Sequence, residues 1–213
     1  MKLKEKDFIE IEFTAKTKEG EVFDTNIEKD LKELGSNTKA EPFIFCLGQG
    51  MFLKAIDDYL IGKEPGKYQI ELEPEKAFGK RQSNLISRLP LKLFNEHKIH
   101  PVPGISFNFD GRVGKVLAVS GGRVIIDFNN PIAGKDVIYN INILKKIEDE
   151  NQQIKSFINF LFKKELKFEI NGTKIIISVE KQMIKFIELF ADKFKDIFNK
   201  ELEVKELEEK STK

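Results

Sequence analysis

Apolar and polar side chains alternate over residues 8–16: Ile9, Ile11, Phe13 and Ala15 share one face, and Glu10, Glu12, Thr14 and Lys16 the other. Period-two alternation predicts a strand with one face in a core. The same signature recurs over residues 43–47, 68–72 and 137–144, and a shorter strand begins at Val22 after a turn at Gly20. Between them the period changes. Phe52, Leu53, Ile56 and Leu60 fall on one face of a helix over about residues 51–60, and Gly62 marks its stop. Residues 25–41 are polar and predict a surface excursion with a helical turn near 28–34. Strands around one short helix predict an antiparallel α+β module.

The pattern is interrupted at residues 81–130. Three strands at 105–109, 115–119 and 124–128 are joined by Asp110-Gly111 and Gly121-Gly122, both hairpin-type turns. Leu85, Ile86, Leu89, Leu91, Leu93 and Phe94 precede them, spaced around Pro90. This segment predicts a small inserted β domain. After residue 150, Ile154, Phe157, Ile158, Leu161 and Phe162 follow helical spacing. A hairpin about Asn171-Gly172 follows, and Met183, Ile187, Phe190, Phe194 and Ile197 predict one longer helix. The result is an α-β-β-α extension of residues 150–213, whose charged end from Glu201 to Lys213 is expected to fray.

Composition narrows the classes. Charged residues are 33% and apolar ones 40%, with a net charge of +1. No overall field favours nucleic acid, and no run of about 18 apolar residues suggests a membrane span. One cysteine, Cys46, cannot form an internal disulfide, which predicts a reducing, cytoplasmic setting. The insert is locally cationic: Arg81, Arg88, Lys92, Lys98, Arg112, Lys115 and Arg123 stand against Glu96, Asp110 and Asp127.

Polar catalytic machinery is sparse. Gly48 and Gly50 precede a helix, but no Lys-Ser/Thr follows and no third glycine sits at dinucleotide spacing. His97 and His100 are the only histidines, remote in sequence from Cys46, so neither a metal site nor a Ser-His-Asp set is expected. No cofactor is predicted. Asp57-Asp58 reads as a solvated helix face. The remaining candidate is an apolar site made by aromatic side chains, of which the 19 phenylalanines give ample supply.

Lys76-Ala77-Phe78-Gly79, followed some fifty residues later by Pro131-Ile132-Ala133-Gly134-Lys135, carries a resemblance. With Val22-Phe23-Asp24 and Leu47-Gly48-Gln49-Gly50, that order resembles the SlyD-like, insert-in-flap branch of the FKBP-type prolyl isomerases. It covers residue 6 to about 147, and the extension beyond is similar to that of the longer archaeal members. The resemblance implies an FKBP-like antiparallel sheet wrapped on one short helix, split as 1–80 and 131–149 around an insert-in-flap domain at 81–130. The implied pocket residues are Phe13, Phe23, Asp24, Phe43, Phe52, Leu53, Ile56, Phe78 and Tyr139, with the backbone N–H of Leu53 holding a substrate carbonyl. Phe13 and Phe78 lack hydroxyls found in much of the family, and Ile56 replaces its frequent Trp. The histidine-rich tail of some SlyD proteins is absent.

The activity so implied is peptidyl-prolyl cis-trans isomerisation with chaperone action. The insert would hold unfolded, proline-containing polypeptides through Leu85, Leu89, Leu93, Phe94, Ile99 and Val102. Two other readings stand beside it. One is a non-catalytic chaperone or scaffold with a degenerate FKBP pocket. The other makes the C-terminal unit an assembly domain, the candidate contact of a homodimer, through its phenylalanine-rich helix.

Overall fold

The computed structural model describes residues 1–207. In chain order the elements are β1 (Phe8–Thr17), β2 (Val22–Thr25), α1 (Glu28–Glu33), β3 (Phe43–Cys46), α2 (Lys54–Leu60), β4 (Gly66–Leu72), β5 (Ile86–Pro90), α3 (Leu91–Glu96) and β6 (Ser106–Phe109). They continue with β7 (Arg112–Ser120), β8 (Arg123–Asp127), β9 (Val137–Ile147), α4 (Glu150–Phe162), β10 (Lys167–Asn171), β11 (Lys174–Val179), α5 (Lys181–Glu188), α6 (Ala191–Phe198) and β12 (Glu201–Glu206). The strands form a five-stranded sheet of order β2-β1-β9-β4 with β3 also on β1, a four-stranded sheet β5-β8-β7-β6, and a three-stranded sheet β10-β11-β12. This is an α+β protein with a small inserted sheet and a C-terminal α/β region. No helix among the described residues is long and apolar enough to cross a membrane.

The chain divides into two compact units. The first holds Met1–Thr14, Thr25–Tyr68 and the chain from Asn140 onward. There the alternation of β1 does what it predicts: Ile9, Ile11 and Phe13 are buried, while Glu10 reaches Lys145 at 3.1 Å. Helix α2 turns Ile56 and Leu60 into the same apolar interior. Helix α4 is capped by the Asp149 carboxylate, which accepts the Asn151 N–H at 3.0 Å. It buries Ile154, Phe157 and Ile158, and Phe157 meets Phe194 and Phe198 edge-on at 5.3 and 5.7 Å. Phe198 in turn stacks on Phe8 at 5.6 Å, and the Lys6 ammonium pairs with Asp196 at 2.7 Å.

Two features of the C-terminal region differ from the sequence expectation. The one long helix is two short ones, because Phe190 leaves helical geometry at φ −97°, ψ 4°. Phe190 packs edge-on against Phe162 and Phe186, whereas Phe194 and Phe198 point to Phe157. Residues 201–206 do not fray. They form β12, which pairs in parallel with β11 in the register Ile175↔Leu202 and Ile177↔Val204. The strand was masked by its charges: Leu202 and Val204 are only two apolar residues among acids and lysines, and Lys174 bridges Glu203 across the pair at 2.9 Å. The rest of the predicted tail, residues 208–213, lies outside the described residues.

The second unit comprises Ala15–Asp24 and Gln69–Tyr139. Its four-stranded sheet contains one strand more than the alternation predicts, β5, paired antiparallel with β8. Helix α3 starts directly after Pro90 and drops Phe94 onto Val116, Val124 and Ile126, the insert's own core. Asp110 and Gly111 both adopt positive φ (49° and 85°), the conformation that a tight β6–β7 hairpin demands. Gly114 has a steric role instead. A Cβ there would lie 2.5 Å from Ile126 Cγ2 and 2.7 Å from the Phe128 ring. Gly114→Val should therefore destabilise the insert by about 1–3 kcal/mol, the usual range for overpacking. Amide hydrogen exchange would read this as faster exchange in β6–β8 with β1 and β9 unaffected; uniform protection would contradict it.

The insert's two junctions are tied together. The Arg81 guanidinium donates to Asp127, whose other carboxylate oxygen accepts the Asn129 N–H at 2.9 Å and side-chain amide at 2.6 Å. Asn129 also pairs with the backbone of Gln82, accepting its N–H at 2.8 Å and donating to its carbonyl at 3.0 Å. Burial alone would raise the Asp127 pKa, but the Asn129 hydrogen bonds and the Arg81 charge outweigh it and hold the carboxyl below its ordinary range.

Candidate active site

In the first unit, three of the nine pocket positions come together as rings. Phe52, just before α2, packs on Phe13 of β1 at 5.3 Å and on Phe43 of β3 at 5.6 Å. Phe45 completes the cluster, 5.3 Å from both Phe43 and Phe52. Leu53 is the N-cap residue of α2, and its carbonyl accepts the Ile56 N–H at 2.9 Å and the Asp57 N–H at 3.1 Å. Ile56 is fully buried and Phe13 nearly so, whereas Phe43, Phe52 and Leu53 keep partial access to solvent.

Sequence reasoning missed the residue that fixes this cluster to its strand. The Asn26 side-chain oxygen accepts the Phe13 N–H at 2.7 Å, and its amide donates to the carbonyls of Ile11 (2.9 Å) and Glu41 (3.1 Å). Thr25 adds a hydroxyl bond to the Phe13 carbonyl at 2.9 Å. One asparagine thus ties β1 to the segment leading into β3, which carries Phe43. An isolated asparagine in a polar excursion gives no pattern from which this could be read.

Asp57 also departs from expectation. Asp58 is the solvated residue of the pair, bridged to Lys54 at 2.9 Å, but Asp57 is only 2% exposed and its Oδ1 has no hydrogen-bond partner. Burial pushes its carboxyl up to about 6, partly countered by a hydrogen bond from the Gly48 backbone. Gly48, at φ 77°, bends the chain before α2 so that this N–H is presented. The Gly48/Gly50 pair serves a turn. Cys46, fully buried nearby, has its thiol pushed up to about 12 by burial and by the charge of Asp57.

In the second unit, Phe23 of β2 meets Phe78 edge-on at 5.5 Å and Tyr139 of β9 at 6.1 Å. Tyr139 is buried, and desolvation together with the Asp24 charge raises its phenol above the ordinary value. Asp24 itself is exposed, while Phe23 and Phe78 are partly so. The Phe78 turn is held by two hydrogen bonds: the Gly79 N–H to the Pro74 carbonyl at 2.6 Å, and the Gly134 N–H to the Gly79 carbonyl at 2.8 Å. The two sequence motifs that first stood out, 76–79 and 131–135, are therefore joined directly.

Within the insert, Phe94 is core, and Leu89 and Ile99 pack against that core. Leu89, Leu93, Phe94 and Ile99 line one cavity of about 340 Å³ with His97 and Phe109. Leu85 is partly exposed, and Leu93 and Val102 are surface residues. A second, larger hollow of about 600 Å³ runs from Val113, Lys115 and Leu117 to Arg81, Asn129 and Pro131. Val113 is 61% exposed, and Ile105 and Leu117 are exposed as well. Alternation on β7 could have found Val113 and Leu117, had the opposite face been assigned to Gly114 and Val116.

The described chain thus combines a helix-bearing antiparallel sheet, partly accessible aromatic rings and a small β-sheet inserted between β4 and β9. Comparison with known proteins supplies the class. Residues 1–90 match the family described as FKBP-type peptidyl-prolyl cis-trans isomerase, and residues 88–132 match the FKBP26 IF domain. The short-type peptidyl-prolyl cis-trans isomerase of Methanocaldococcus jannaschii is 28% identical over 145 residues, 66% of this chain and 92% of that protein. The FKBP-type isomerase SlyD of Aeromonas hydrophila is 28% identical over 148 residues, 67% of this chain and 64% of that one. The FKBP-type 16 kDa isomerase of Escherichia coli is 27% identical over 115 residues, 52% of this chain and 77% of its own length. The chain belongs to the FKBP-type peptidyl-prolyl cis-trans isomerases and carries the insert-in-flap domain.

Proposed function

We propose that this isomerase rotates X-Pro bonds in unfolded or partly folded polypeptides, the insert at 81–130 holding the chain while the split FKBP domain at 1–80 and 131–149 does the chemistry. The observation that carries it is the sorting of the nine positions by exposure. Phe13, Ile56 and Tyr139 are buried, whereas Phe23, Phe43, Phe52, Leu53 and Phe78 keep reachable surface and Asp24 is exposed.

Rotation about a peptide bond faces a barrier of about 18–20 kcal/mol because twisting destroys amide resonance. The twisted X-Pro bond is less polar than the planar amide. Dry aromatic walls therefore cost the ground state more than the transition state, and no proton has to move. The Leu53 N–H is assigned to orient a substrate carbonyl. With hydroxyls absent at Phe13 and Phe78, the aromatic side chains supply desolvation and less hydrogen bonding. The uncatalysed event takes tens of seconds or longer, slow enough to limit folding. Holding is assigned to the insert's apolar surface, with Leu93 and Val102 joined by Ile105, Val113 and Leu117. The lone thiol, free and buried at Cys46, supports a cytoplasmic setting.

Acceleration of both a proline tetrapeptide and a proline-limited refolding reaction is the expected result. Suppression of aggregation with no acceleration of either would make the protein a binding module with a vestigial pocket.

One observation favours an added role for the C-terminal unit in self-association. Leu189 is 78% and Phe186 49% exposed, beside the Phe162–Phe190 ring pair. Light scattering across a concentration series should show a dimer; a strict monomer at all concentrations ends this reading.

A further inference from the structure

The edge of β3 faces a groove. Among the described residues β3 pairs only with β1, in the register Ile9↔Phe45 and Ile11↔Phe43. The Leu47 N–H donates to the Asp7 carbonyl at 3.0 Å, while the Cys46 N–H turns the other way, to the Met51 sulfur at 3.2 Å. Odd-numbered residues thus direct their backbone groups at β1, and Ile44 directs its N–H and carbonyl outward. Beyond that edge lies a cavity of about 430 Å³, bounded by Pro42, Phe43 and Ile44 on one side and by α4 on the other. All of this belongs to the first unit.

Two observations say what the groove takes. Phe43 lines it and is also a member of the Phe13–Phe52 ring cluster, so groove and aromatic site share a residue. Its charged lining residues are Lys155 and Lys163, with no carboxylate among the lining side chains. Lys155 is bridged to Glu165 at 3.0 Å, whereas the Lys163 ammonium lies over the Phe160 ring at 4.6 Å.

We propose that this groove is a second subsite for the substrate polypeptide, binding an extended, acidic stretch next to the proline as an added strand on β3. The proposal rests on the catalytic reading above. The stretch exchanges backbone hydrogen bonds with Ile44 and places a carboxylate by Lys163. Strand addition of this kind draws affinity from the main chain and selectivity from the side chains. Substrate choice then depends partly on a helix outside the FKBP sheet.

The test uses the full chain and three probes: a proline tetrapeptide, a fifteen-residue peptide with acidic residues flanking its proline, and the same peptide with lysines instead. Ser156→Trp fills the groove from α4, and Lys163→Glu reverses its charge. In Ser156→Trp the KM for the acidic peptide should rise about fivefold with kcat unchanged, and tetrapeptide turnover should stay at the wild-type level. Lys163→Glu should exchange the preference, favouring the lysine peptide. Equal KM for both long peptides in all three proteins would overturn the subsite. So would a change confined to oligomeric state, which would assign the groove to a second copy of the chain. If the wild type fails to turn over even the tetrapeptide, the catalytic reading has failed instead. The groove is then judged by photocrosslinking the acidic peptide to a benzophenone at position 152, where absence of an adduct overturns it.

Discussion

Replacing residues 81–130 with a short loop lowers catalysis of proline-limited refolding by about a hundredfold, while turnover of a proline tetrapeptide changes little. The size follows from linkage. A holding surface tethered beside a catalytic site turns the second encounter into an intramolecular one, and linked sites gain on the order of a hundredfold or more in apparent affinity without any new contact. The structure makes the experiment clean. The Gly134 N–H to Gly79 carbonyl bond closes the stem below the insert, so the ends to be bridged are already held together. The insert also has its own core, Phe94, Val116, Val124 and Ile126. Asn26 and Thr25, which hold the Phe13 backbone, lie outside the deleted residues. Stopped-flow refolding of an unfolded protein, with the tetrapeptide assay as control, gives the answer. Equal losses on both substrates would mean that the insert shapes the catalytic residues, and full retention on both would remove its holding role.

The second large effect is on stability. Asp57→Asn should stabilise the protein by about 1–3 kcal/mol at pH 7 and by almost nothing at pH 4. Burial raises the Asp57 carboxyl from 3.8 to about 6, so between those values the folded chain binds a proton that the unfolded chain has released. Wild-type stability therefore falls as pH rises through this window, and above it the buried charge carries its full cost. Asparagine keeps an oxygen for the Gly48 N–H and never ionises. Denaturant melts of both proteins at several pH values measure the difference. Cys46 labelling provides an independent reading, since its buried thiol, pushed up to about 12, reacts only when the region opens. A difference that is flat across pH 4–7, or an Asn variant less stable at neutral pH, would contradict the assignment.

What the sequence revealed, and what it concealed, divides by the range of the interactions. Alternation in β1, β3, β4 and β9 and the helical stripe of α2 are local patterns, and each produced its element. The hairpin at Asp110-Gly111 was equally plain, because its backbone geometry restricts the residues it accepts. Asp57 and Asp58 are neighbours of one type, yet one is buried and the other solvated, and only the packing around α2 distinguishes them. β12 depends on a partner strand some twenty-five residues earlier, which no window on its charged sequence contains. Asn26 works through three backbone groups drawn from two segments. For the candidate site, the resemblance supplied the positions and their order. The ring-to-ring packing and the sorting into buried and accessible residues came only with the fold.

The stack of Phe8 on Phe198, beside the Lys6–Asp196 pair, bears on how this chain comes to exist. During translation the first strand waits for its cover until almost two hundred residues have been made. At ribosomal speeds of about 5–20 residues per second that is an interval of tens of seconds at the slower rates, with an apolar strand open to wrong partners. A chain whose first strand is covered by its last helix is thus, in its own synthesis, slow to complete and vulnerable.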